Sequence, residues 1–153
     1  MSPDIQDALT GAGLDTADST SRRLDAEQVK RASLVLVAER THRHAVVAQV
    51  PSGLGRTFTI REFDRSIAAS DTAAISGTPA DRMAALVGVA AALRGALPPP
   101  SPRDDDPYLG GAAAAQIYLE KLTSHLDGWT AVVAGQPFAW HGQLATLSRT
   151  HRG

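Results

Sequence analysis

Only two good parallel strands can be read in this chain, and each is followed by a helical pattern. Leu34-Val35-Leu36-Val37-Ala38 is a continuous apolar run rich in β-branched side chains, which suits a strand covered on both faces. Thr57-Phe58-Thr59-Ile60 is a second, shorter run. Between them Thr41 can cap a helix reaching about Val50, which Pro51 and the Gly53-Leu54-Gly55 turn then end. Another helix runs from Arg61 to Ala69. Strand, helix, strand, helix implies a right-handed parallel crossover and an α/β fold. Two strands do not normally make an independently stable sheet, so the fold reads as incomplete.

The flanking segments read as helices. Ser2 and Pro3 open the first, Ile5, Ala8, Leu9 and Ala12 give it one apolar side, and it stops near Gly13. Asp25 caps a short helix through Arg31, with Glu27 at its positive end. From Pro79 to about Gly95, Met83, Leu86, Val87, Ala90 and Leu93 recur at helical spacing behind a Thr78 cap. Pro98-Pro99-Pro100-Ser101-Pro102 is stiff and extended, and delivers the acidic run Asp104-Asp105-Asp106. Ala112 to about Leu126 is a last helix, and Trp129 to Val133 either continues it or forms a short strand. Residues beyond Trp140 show no clear period and are expected to be poorly ordered.

Composition narrows the chemistry. The 153 residues suit one domain, and a net charge of −1 neither gathers nucleic acid nor favours an acidic membrane surface. Zero cysteines remove disulfides, thiolate metal sites and cysteine nucleophiles together. No basic region precedes an apolar run at the N-terminus, and no eighteen consecutive residues are apolar, so a soluble, cytoplasmic protein is expected.

His42 and His44 lie two apart on a predicted helix and point in different directions, which argues against a shared metal. His125 and His141 read as isolated. Gly53-Leu54-Gly55-Arg56 precedes a strand instead of opening a helix, so it reads as a turn and not a phosphate cradle. Glu39 ends the first strand on the carboxyl side, where open parallel sheets place their sites, though a capping or solvated role is the simpler reading. No metal or cofactor is implied.

Four segments, in order, resemble the low-molecular-weight protein tyrosine phosphatases, especially an actinobacterial-type branch. They are Arg22-Arg23-Leu24 ahead of a short helix, Leu34-Val35-Leu36-Val37 followed by Thr41-His42-Arg43, Phe58-Thr59-Ile60-Arg61-Glu62-Phe63, and Asp106-Pro107-Tyr108. The resemblance covers roughly residues 2–127. It implies the C-terminal two-thirds of a three-layer αβα sandwich with a parallel sheet, its central first strand missing. On that basis residues 1–128 form the phosphatase-like domain and 129–153 an extension.

The resemblance also assigns roles. In phosphomonoester hydrolysis by a thiolate, the leaving oxygen needs a proton from a positioned carboxylic acid. That general acid falls on Asp106, which the following proline holds in extended geometry, and the pocket wall for the phosphotyrosine ring falls on Tyr108. As a bare sequence pattern, three aspartates after a proline run also describe a solvated turn. Substrates implied are a phosphotyrosine protein or a small aryl phosphate.

The chain departs from the family in three places. It has no Cys-x5-Arg phosphate loop, Ser33 stands where an aspartate is usual, and the acidic loop is compressed. The missing strand–helix unit is about 30 residues or more, and is expected to have been encoded ahead of Met1 or lost by gene decay. The protein is therefore expected to be inactive as written. The alternatives are a non-catalytic interaction module and, less well matched, an arsenate reductase relative, whose chemistry needs several cysteines.

Overall fold

The computed structural model describes residues 3–17, 22–98 and 111–136. The fold is mixed α/β and mostly helical. Helix α1 spans Pro3–Gly11, α2 Ala26–Arg31, α3 Arg40–Gln49, α4 Ile60–Ala68, α5 Pro79–Leu93 and α6 Gly111–Ala134. Strands β1 (Val35–Val37) and β2 (Thr57–Thr59) form a two-stranded parallel sheet, with Val35 opposite Thr57, Leu36 opposite Phe58 and Val37 opposite Thr59.

Successive strand side chains point to opposite faces, and each face of the sheet has its own apolar cluster. Leu34 and Leu36 pack with Phe58 against Phe63, Ile67, Leu86, Ala90, Trp129 and Val132. Val35 and Val37 pack against Val29, Val46 and Val50, from α2, α3 and the residue after α3. The first cluster is the larger and is centred on aromatics. The Phe63 ring meets Phe58 at 5.5 Å and Trp129 edge-on at 5.0 Å, the separations at which ring edges meet ring faces favourably. Full burial of a Phe63-sized side chain is worth about 2–3 kcal/mol relative to exposure.

Several boundaries follow from local chemistry. Asp25 accepts the Glu27 N–H and starts α2, while Thr78 accepts the Asp81 N–H and starts α5, with Pro79 in its first turn. Gly13, just past α1, adopts φ +80°, a left-handed geometry that costs glycine nothing.

Four boundaries differ from the sequence reading. Helix α3 is preceded by Glu39, not Thr41, and the Thr41 hydroxyl donates instead to Glu39 Oε2 at 2.9 Å. Ile60 opens α4 instead of ending β2, because Thr59 and Glu62 form a reciprocal capping box across the first turn. The Pro51–Arg56 segment is a 3-10 helix, held by Arg56, which donates to the carbonyls of Ser52, Val29 and Lys30. Helix α6 passes unbroken through the 128/129 boundary, and Trp129 and Val132 from beyond it sit in the core.

Among the described residues, no helix is long and apolar enough to cross a membrane.

Candidate functional site at the sheet and helix α4

Asp106 and Tyr108, the residues that the resemblance assigns to acid and pocket wall, lie outside the described residues, as do Asp104, Asp105 and His141. What is described is the frame around the sheet, above all the start of α4. There Glu62 uses both carboxylate oxygens. Oε2 accepts the Thr59 N–H at 3.3 Å, while Oε1 lies 3.3 Å from Arg43 Nη1 and 3.4 Å from Arg94 Nε.

Arg94 is the busiest side chain of the cluster. It follows α5, and its Nη2 donates to the Thr57 carbonyl at 2.7 Å while Nη1 donates to the Leu54 carbonyl. Its guanidinium also lies 4.3 Å from the Phe58 ring centroid, a cation–π contact. Burial, and then the nearby Arg43 charge, push the Arg94 pKa down, while Glu62 opposes them. A guanidinium starts so high that it stays charged regardless. The cluster therefore holds two cations against one anion: Arg43 donates to Glu62 and Arg94 to two backbone carbonyls, while among the described residues the Nε donor of each is buried without a hydrogen bond.

A second polar cluster links α4 to α6. Asp64 is buried on α4, and His125 Nδ1 lies 2.9 Å from its Oδ1, an ion-pair distance without hydrogen-bond geometry. The His125 ring stacks nearly parallel to Trp129, 12° between planes and 6.3 Å between centroids. Trp129 Nε1 is buried and, among the described residues, has no hydrogen-bond partner. The sequence reading of His125 as isolated is corrected here, since its partner lies on a different helix.

The remaining candidates occupy ordinary positions. His42 and His44 are both exposed on α3, and among the described residues no three His, Cys, Asp or Glu side chains could hold a metal together. Glu39 sits before α3 without a side-chain bond to the helix backbone. An open groove of about 410 Å³ runs between α1 and α6, lined by residues including Ala12, Gln116, Glu120, Thr123 and Asp127, none of them from the sheet, α3 or α4.

Sequence reasoning missed the Glu62 cluster and the Asp64–His125 pair. The Thr59-x-x-Glu62 spacing is a capping-box signature and could have found the first. No local signal marks Arg94 or pairs Asp64 with His125. Comparison with protein-family models, curated proteins and solved structures gave no significant match to the chain.

Proposed function

We propose that this chain is a low-molecular-weight protein tyrosine phosphatase-type polypeptide carrying the general acid, Asp106, but neither the nucleophile nor the phosphate cradle, and that by itself it does not turn over phosphate esters. The observation that carries the reading is a tether. Arg65 Nη1 on α4 donates to the Pro98 carbonyl at 2.8 Å, so Pro98, eight positions ahead of Asp106, lies beside α4. Six residues of helix separate Thr59, the carboxyl end of β2, from Arg65, about 9 Å at 1.5 Å per residue. The eight-residue reach from Pro98 to Asp106 spans up to about 27 Å extended, ample to bring a carboxyl over the sheet's carboxyl end. Parallel α/β sheets place their sites there.

The two apolar clusters on opposite faces of β1 support the three-layer αβα arrangement that the family has. The pair of short strands supports a sheet missing a member.

An aryl phosphate assay on the purified chain tests the reading. No hydrolysis above the buffer rate is expected, because removing both nucleophile and oxyanion cradle leaves nothing to stabilise the transition state. Robust turnover that disappears in Asp106→Asn would overturn the inactivity. In a complete chain with a Cys-x5-Arg segment ahead of Met1, the same substitution is expected to slow turnover about 10²- to 10⁴-fold, the usual worth of a general acid.

A further inference from the structure

Helix α6 is held in two different ways along its length. Its second half belongs to the core: Trp129 and Val132 are buried in the larger cluster, and Arg82 on α5 donates to the Val133 carbonyl at 2.8 Å. Its first half does not. Ala115 is buried, yet it belongs to neither apolar cluster and lies about 21 Å of helix ahead of Trp129, at 1.5 Å per residue. Among the described elements α1 and α5 are the substantial neighbours of α6, and α1 has no other substantial neighbour than α6. Ala115 therefore sits under α1, whose following residue Ala12 adjoins Gln116 and Leu119 at the open groove.

Helix α1 is closed off by its own residues. The Gly13 N–H bonds to the Thr10 carbonyl at 2.9 Å and the Leu14 N–H to the Leu9 carbonyl at 3.0 Å, a Schellman pair around Gly13. The Thr10 hydroxyl bonds to the Gln6 carbonyl and meets the Thr16 hydroxyl, both in the same segment. None of the described α1 side chains is fully buried: Ala8 and Leu9 are half-buried, and Leu14, just beyond the helix, is 54% exposed. A helix of 9 residues is too short to stand alone in water. It keeps its form only while docked.

We propose that α1 is a strap that opens from α6 independently of the rest of the fold, unwinding as it leaves and baring the α6 face around Ala115 and Leu119. Elements with few buried apolar contacts open locally at small cost, whereas those packed into the core open only with the whole domain. The sheet, α4 and the second half of α6 are of the second kind. The bared face is thus presented for part of the time, on a molecule whose core stays closed.

The absence of cysteine makes the test direct, because one introduced thiol is the only group to label. Ala115→Cys places it under α1, and Ala90→Cys places it in the larger cluster. In the full chain a thiol reagent should label Ala115→Cys about 10- to 100-fold more slowly than a free thiol, and Ala90→Cys at least about 10³-fold more slowly. Asp7 is exposed within α1, and Asp7→Pro removes a helical bond there and clashes with the preceding turn. Added to each, it should bring Ala115→Cys to within about twofold of a free thiol and leave Ala90→Cys unchanged. Amide exchange of the unsubstituted chain gives the same comparison, with α1 at least about tenfold faster than α4. Equal protection of the two thiols, or equal exchange of the two helices, overturns the proposal. So does an Ala115→Cys rate that ignores Asp7→Pro, or an Ala90→Cys thiol that loses its protection with it.

Discussion

Glu62 and Arg94 together occupy the place of a neighbouring strand: the carboxylate accepts the Thr59 N–H, the guanidinium donates to the Thr57 carbonyl, and the two side chains face each other at 3.4 Å. An unpaired N–H or C=O beside a buried strand costs about 1–3 kcal/mol, so this polar pair relieves a penalty that an open β2 edge would carry.

Arg94→Ala is therefore expected to destabilise the chain by about 2–4 kcal/mol, since it uncovers the Thr57 carbonyl and removes one of two cations from Glu62. Arg94→Lys should recover only part of this, because an ammonium has no planar fork to span Leu54 and Thr57. Urea unfolding of both variants measures the difference. Equal stability of Arg94→Ala and the parent chain would show that the edge is not sealed in this way.

Phe63 is fully buried between Phe58 and Trp129. Phe63→Ala should cost about 3–5 kcal/mol, much of the stability of a domain this size, whereas Phe63→Leu should cost much less. Thermal unfolding followed at the tryptophans is the measurement. A small shift for the alanine variant would mean that the core is not organised around this ring.

A chain ending at Gly128 loses Trp129 and Val132, two of the seven buried residues of the larger cluster. It should lack a cooperative thermal transition and bind a hydrophobic dye. A sharp transition in this truncated chain would place the domain boundary back at 128.

Asp64 is buried with His125 as its partner. His125→Ala should cost about 1–3 kcal/mol by removing the polar group that stands 2.9 Å from the buried Asp64 carboxyl. The Asp64→Ala, His125→Ala double variant should lose less than the two single variants added together. Strict additivity in that double-mutant cycle would mean that the pair is not coupled.

The start of α5 has its own pH dependence. The Thr78 hydroxyl and then the Thr78 N–H bond Asp81, holding its carboxyl below the ordinary value of 3.8. A carboxylate depressed in the folded state contributes stability that is fully present above its unfolded value and lost as pH falls through the folded one. Amide exchange in the first turn of α5 should quicken below about pH 4 in the parent chain, and Asp81→Asn should remove that dependence. A parent chain whose first-turn protection is flat down to pH 2 would contradict it.

The elements that could be read in advance are those whose signals are local. Thr78-Pro79 with Asp81 starts α5, Asp25 starts α2, and β-branched runs mark both strands. Ile60 misled because its side chain suits a strand as well as a helix, and the choice fell to the bonds between Thr59 and Glu62. Trp129 was ambiguous for the same reason, until its contact with Phe63 set it in a continuous α6. Of the candidate site, Asp106 and Tyr108 were legible only as a motif.

Residue order alone sufficed for a parallel strand–helix–strand unit and for a chain without a thiolate, because backbone geometry and side-chain chemistry act over a few residues. Which groups seal the sheet, and that a histidine read as isolated faces a buried aspartate, depended on packing. Arg94 and Thr57, like Asp64 and His125, are far apart along the chain, and no periodicity or spacing encodes a contact that exists only once α5 and α6 have closed over the strands.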